Sequence, residues 1–172
     1  LAAEGAVTLL EKLSPALEQV DSSSGALGTA VNRAIDTLVP IIVKADVEPR
    51  VRQRWLQRLW QALQDDNMPY IESLGSYWGD LCVTPELATQ WIDEFLPFVE
   101  QAWSSKSPGH RFFQGTSACL ASFYAAGRHE QLLALLERAP FKSWHYRQWG
   151  VKALVAMGKG AEAIGYAEQS RG

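Results

Sequence analysis

Cysteine is nearly missing from this chain: Cys82 and Cys119 are the only two, and neither stands in a C-x-x-C pair. Two thiols cannot build the disulfide framework of a small secreted domain, so a reducing, cytoplasmic home is expected. Long apolar runs are missing too; the densest, residues 38–43, is six long and contains Pro40. A membrane helix needs about 18 apolar residues, so no membrane association is expected. Positive charge is not in excess, with 16 Lys and Arg against 19 Asp and Glu, a formal net charge of -3. Bulk attraction to polyanions is thereby removed as a default. The opening Leu1-Ala2-Ala3-Glu4 has no basic or long apolar leader, and it also lacks an initiator Met, which leaves an upstream segment open.

What the chain does have is apolar residues, 47% of 172 positions, returning at spacings of three and four almost everywhere. Strict alternation over a strand length is hard to find, so the period predicts an all-α fold of eight or nine helices. A first helix over 3–20 carries Ala6, Leu9 or Leu10, Leu13, Leu17 and Val20, with Pro15 kinking it or restarting it on a Ser14 cap. A second carries Leu27, Val31, Ala34, Leu38 and Ile42, bent by Pro40. Asp46 is read as the cap of a third, with Pro49 in its first turn and Val51, Trp55, Leu56, Leu59, Trp60 and Leu63 inward. Asn67 and Pro69 open a fourth, burying Ile71, Leu74, Trp78 and Leu81 or Cys82. Thr84-Pro85-Glu86 starts a fifth that Pro97 is expected to interrupt, and residues 104–109, Ser-Ser-Lys-Ser-Pro-Gly, form a hinge. The sixth, over 110–126, is rich in small residues from Gly115 to Ala126, which lets neighbouring backbones approach closely, and Gly127 ends it.

Motifs that would carry chemistry are thin. Gly158-Lys159-Gly160-Ala161-Glu162-Ala163 fits the letters of a dinucleotide turn, but the turn recurs at Gly127 without a second glycine, and the sequence ends before an acidic ribose ligand about 20 residues on would stand. No G-x-S-x-G elbow is present. His110, His129 and His145 share no partner at ligand spacing, so neither a metal nor a cofactor is expected. Arg50, Arg54 and Arg58, four apart with Arg52 beside them, make the best basic stripe for an anion or acidic partner. Its plain alternative is a solvated helix face behind the tryptophans. Asp65, Asp66, Glu72 and Asp80, interleaved with Tyr70, Tyr77 and Trp78, suit helix capping first and a cationic peptide or an acidic enzyme site second. Trp144, His145, Tyr146, Arg147 and Trp149 are denser than one buried stripe absorbs, because consecutive helical residues point about 100° apart. They are the candidate partner-binding surface, since Trp, Tyr and Arg are enriched at interface hot spots.

The end of the chain repeats itself. Setting Gly127 on Gly158 pairs Ala125-Ala126-Gly127-Arg128 with Ala156-Met157-Gly158-Lys159, and Glu137 with Glu168, at an offset of 31 residues. Over 117–172, and most clearly where Leu154, Gly158, Ala163 and Ala167 fall on helix-turn-helix spacing, the chain resembles the tetratricopeptide family. Leu120 and Val151 stand where the family has a small residue and the offset is short of 34, so HEAT-like or irregular α-α packing stays open. The resemblance implies antiparallel hairpins stacked as an α-α superhelix, with recognition of a protein or peptide and no chemistry of its own. The organisation expected is a helical region over 1–106 followed by the hairpins of 107–172, or one continuous domain. Because the last unit lacks a polar capping helix, the natural chain is expected to continue past Gly172. The expected function is a non-catalytic scaffold for protein or peptide binding. Nucleic-acid binding through the Arg50 stripe and an enzyme with an acidic site near 65–80 are the alternatives.

Overall fold

The computed structural model describes residues 2–18, 26–66, 70–104, 113–140 and 142–170. These residues are all-helical, with no strand among them. The helices are α1 (Ala2–Leu17), α2 (Ala26–Lys44), α3 (Pro49–Gln64), α4 (Trp78–Cys82), α5 (Pro85–Ala102), α6 (Thr116–Ala125), α7 (His129–Glu137), α8 (Trp144–Ala156) and α9 (Gly160–Gln169). A 3-10 helix, Glu72–Tyr77, leads directly into α4. Helix α1 packs on α2 and α3, and α6 lies against the 3-10 helix, α4, α5, α7 and α8. Beyond it, α7 packs on α8 and α8 on α9.

The inward stripes follow the apolar period with local shifts. On α2 the buried residues are Val31, Ile35, Val39 and Ile42, one position on from the predicted Ala34 and Leu38, which are half-buried. Leu10 rather than Leu9 faces in from α1. The three prolines inside helices break none of them: α1 runs through Pro15, α2 through Pro40 and α5 through Pro97. All three are exposed, so the carbonyl each leaves without a donor lies on the solvent side, where water can serve it. Ser14 is therefore not a cap; buried between helices, its hydroxyl donates to Asp66 Oδ1 at 2.5 Å, and Asp66 also accepts from the Ile71 amide. Glu48, not Asp46, precedes α3, with Pro49 at its first position. Thr84 caps α5 as the sequence predicts, its hydroxyl accepting from the Leu87 amide. Helix α6 begins at Thr116, later than expected, and residues 105–112, which include His110 and most of the expected hinge, lie outside the described residues. So do Val20, Asn67 and Pro69.

Helix α6 is buried from Thr116 to Phe123, around its whole girth. A helix apolar on all sides is one with neighbours on all sides. Its small side chains admit them: a Cβ placed on Gly79 of α4 would stand 2.6 Å from the Ala121 carbonyl oxygen and 2.7 Å from Ala125 Cβ. Above this contact Trp78 is fully enclosed, edge-on to Trp91 and Phe95 at 5.2 and 5.8 Å between centroids. Buried side chains from Ala3 to Ala153 join in one hydrophobic cluster.

Two α-helix ends are copies of each other. Gly127 and Gly158 have φ of +74° and +77°. After Gly127 the Arg128 amide donates to Phe123 O and the Gly127 amide to Tyr124 O; after Gly158 the Lys159 amide donates to Leu154 O and the Gly158 amide to Val155 O. This is the paired 6→1 and 5→2 closure that a left-handed glycine makes possible. The letters that resemble a dinucleotide turn belong to this second closure, with a helix rather than a strand before it.

Replacing Gly79 by Ala forces the backbones of α4 and α6 apart, and the overpacking should cost about 1–3 kcal/mol. Urea unfolding read by tryptophan fluorescence checks this, with Gly28→Ala, whose Cβ meets nothing within 4 Å, as the control.

Candidate functional site

The five aromatic and cationic residues at the start of α8 do not form one surface. Trp144 is 52% exposed and His145 is exposed, but Arg147 and Trp149 are only 3% and 6% exposed. Arg147 faces inward because it shares a stripe with Gly150 and Leu154, both buried. Its guanidinium lies 3.9 Å from the Tyr166 ring centroid and its Nε donates to Ser170 Oγ at 2.7 Å, so it fastens α9 onto α8. Gly150 makes room for the same tyrosine; a Cβ there would stand 2.6 Å from the ring. Tyr146 is half-buried against Trp103, its ring centroid 5.7 Å away. His145 Nε2 sits 3.1 Å from Ser117 Oγ, a pin between α8 and α6.

The basic stripe is likewise divided. Arg58 is committed to α1: its Nε and Nη2 reach Glu11 at 3.0 and 2.5 Å, its Nη1 pairs with Glu4, and Thr8 accepts a further bond at 3.1 Å. Glu4 also accepts from Trp55 Nε1 at 2.7 Å, and that bond together with Arg58 holds its carboxyl below the ordinary range. Arg50 and Arg54 remain exposed, Arg50 with Glu48 3.7 Å away. Arg52, counted only as a neighbour of the stripe, is buried and donates to the carbonyls of Ile42 at 3.1 Å, Ala45 at 2.6 Å and Leu81 at 3.4 Å. Those carbonyls close the ends of α2 and α4, where the helix dipole favours a cation. Arg52 thus ties both helix ends to α3.

The acidic stretch is also taken apart, with Asp66 buried in its structural bonds and Asp80 exposed. Among the described residues no group of three or more His, Cys, Asp and Glu is arranged to hold a metal ion. Cys82 and Cys119 are buried free thiols. Burial pushes both upward, Cys82 to about 12 from an ordinary 9.0, with Arg52 nearby pulling the other way.

Among the openings that the packing of the described residues leaves is a groove where α4 crosses between α2 and α6. It consists of two adjoining cavities of about 340 and 450 Å³ that share Tyr77, Gly79, Asp80 and Ala125. The smaller is walled by Ser76, Tyr124, Gln148, Trp149 and Lys152, the larger by Val39, Pro40, Val43, Lys44 and Val83. Tyr77 stands between them, its hydroxyl donating to Asp36 of α2. That bond, with burial, raises the phenol to about 12. The Lys152 ammonium lies 4.3 Å from the Trp149 ring centroid, and Trp149 Nε1 has no hydrogen-bond partner among the described residues.

Val83 closes the larger cavity in an unusual conformation. Its φ is 68° and ψ -45°, and the Thr84 amide donates to the Cys82 carbonyl across it at 2.8 Å. A three-residue turn of this hand is rare and strained, the more so for a β-branched side chain. Val83 nonetheless leaves its isopropyl group half in solvent, 51% exposed.

Of the five predicted α8 residues, Trp149 lines this groove; Trp144, His145, Tyr146 and Arg147 are not among its walls. Asp80, from the acidic stretch, lines both of its cavities. Val83, Lys44, Gln148 and Lys152 were not singled out by sequence. A valine before Thr-Pro is the only local signal, and it marks a helix boundary rather than a site. Compared with protein-family models, curated proteins and solved structures, the chain has no match.

Two outcomes follow from these burials. Arg147→Ala should lower unfolding stability by about 1.5–3 kcal/mol by removing charge-assisted contacts from a buried position, whereas Trp144→Ala should change it little; chemical denaturation of both variants decides. Because the folded Cys82 thiol is raised above its unfolded value, folding holds the proton that the unfolded chain releases first. Stability due to this thiol should be fully present below pH 9.0 and be lost as pH climbs toward about 12. A pH series of urea midpoints, compared with Cys82→Ala, measures it.

Proposed function

We propose that this protein is a helical scaffold that binds a segment of a partner protein in the groove between α2, α4, α6 and α8. The observation that carries this reading is the groove itself: two adjoining cavities with a shared floor at Gly79, walled by aliphatic, aromatic and polar side chains in the manner of a recognition site. The strained, outward-facing Val83 at its edge supports the same view, since such strain persists where surrounding structure or function maintains it. The duplicated turn, 31 residues apart, supports a helical-repeat architecture of the tetratricopeptide kind for the second half, as does the packing of α6 on α7 and α8, α7 on α8 and α8 on α9. Binding through Arg50, Arg54 and Arg58 as one stripe loses support because Arg58 is spent on Glu4 and Glu11. An acidic catalytic site loses support because Asp66 is spent on Ser14 and Ile71.

A photo-crosslinking amino acid at Ser76, inside the groove, and at Arg54, outside it, separates the readings. In extract of the native host, the Ser76 position should trap a discrete polypeptide and the Arg54 position should not. Nucleic acid trapped at Arg54, with nothing at Ser76, would replace this proposal with the nucleic-acid one.

A further inference from the structure

The two seats of the groove differ in chemistry, and the difference says what kind of segment fits them. The larger seat presents Val39, Pro40, Val43 and the exposed Val83, an aliphatic slot with Lys44 beside it. The smaller presents the rings of Tyr77, Tyr124 and Trp149 together with Asp80, which is exposed and lines both seats. Aromatic faces attract cations through their quadrupole, most strongly at tryptophan, and a carboxylate close by adds to the attraction. The protein already shows this preference with one of its own side chains, since the Lys152 ammonium is laid over Trp149 at 4.3 Å from the centroid. Lys152 is exposed, on a four-carbon stem that can leave the ring for solvent.

Resting on the binding reading above, we infer that the groove takes a polypeptide segment in which an arginine or lysine adjoins an aliphatic side chain. The cationic head sits between Asp80 and the Trp149 face, in the place Lys152 now fills, and the aliphatic side chain enters the slot beside Val83. Lys152 is then an internal stand-in that the ligand displaces. Lys44 at the larger seat keeps the cationic head out of the aliphatic slot and leaves it the smaller seat, where Asp80 and the rings meet it. Each cavity lies within the roughly 300–1,000 Å³ of a small-ligand pocket, room for a side chain or two rather than for a helix.

Titration of the full, isotope-labelled chain with acetyl-leucyl-arginine amide and with acetyl-leucyl-glutamate amide, followed by amide and indole NMR signals, tests this. The arginine compound should shift Gly79, Val83 and the Trp149 Nε1–H with a dissociation constant on the order of 1 mM, and the glutamate compound should not. Asp80→Asn should weaken that binding about threefold or more, and Lys152→Met should strengthen it, because the stand-in is gone while an apolar stem remains over the ring. Equal shifts of the same signals by both compounds would overturn the cationic assignment and leave the groove as a binding site. Arginine-specific shifts unmoved by either substitution would displace the cation from the Asp80–Trp149 seat. No groove shift with either compound, up to the solubility limit, would remove both the inference and the reading on which it rests.

Discussion

Close approach of backbones at α6 governs how the rest of the molecule is arranged. Ordinary helices keep interaxial distances of about 8–10 Å because their side chains hold them apart. Along α6 those side chains are Thr, Ser, Ala and Cys for most of its length, and Gly79 of α4 meets it with no side chain at all. The contact is dry and specific, so α4 has one place to lie. With α4 fixed, Trp78 is driven into the ring cluster of Trp91 and Phe95 on one side, while Tyr77 and Asp80 are left at the surface on the other. The groove is the surface expression of that choice.

Two arginines then lock the elements around this contact. Arg52 gathers carbonyls from the ends of α2 and α4, and Arg58 fastens α1 to α3 through two carboxylates. The first is dehydrated and costs desolvation that its acceptors must offset; the second is partly wet and screened by salt. A third, Arg147, does the same work between α8 and α9. Guanidinium suits all three positions because its planar fork reaches several oxygens, or a ring face, from one buried stem.

The helices and most of their buried faces were legible in the sequence, since the apolar period survives in Leu56, Leu59 and Leu63 or in Trp91, Ile92, Phe95 and Val99. Charge misled the reading of the site. Arg52 falls four residues before Leu56, and Arg147 three before Gly150, so the helical period itself placed both on the inward face. Composition suggested surface, and burial with paired acceptors overrode it. The prolines misled in the opposite sense: Pro15, Pro40 and Pro97 looked like interruptions, yet each faces water, where a lost backbone bond is least costly. The groove was beyond sequence reach because its walls come from four helices far apart in the chain, and because a positive φ at valine has no compositional mark.

Gly79 gives the groove a base and walls of opposite mutability. The base is locked to the core at van der Waals limits, so a larger residue there costs folding stability. Lys44, Ser76, Gln148 and Lys152 stand on helices whose other faces do the holding, so substitutions among them leave the architecture intact. Exchanging those rim side chains therefore rewrites the chemistry of the groove while the α4–α6 seam beneath it keeps its geometry.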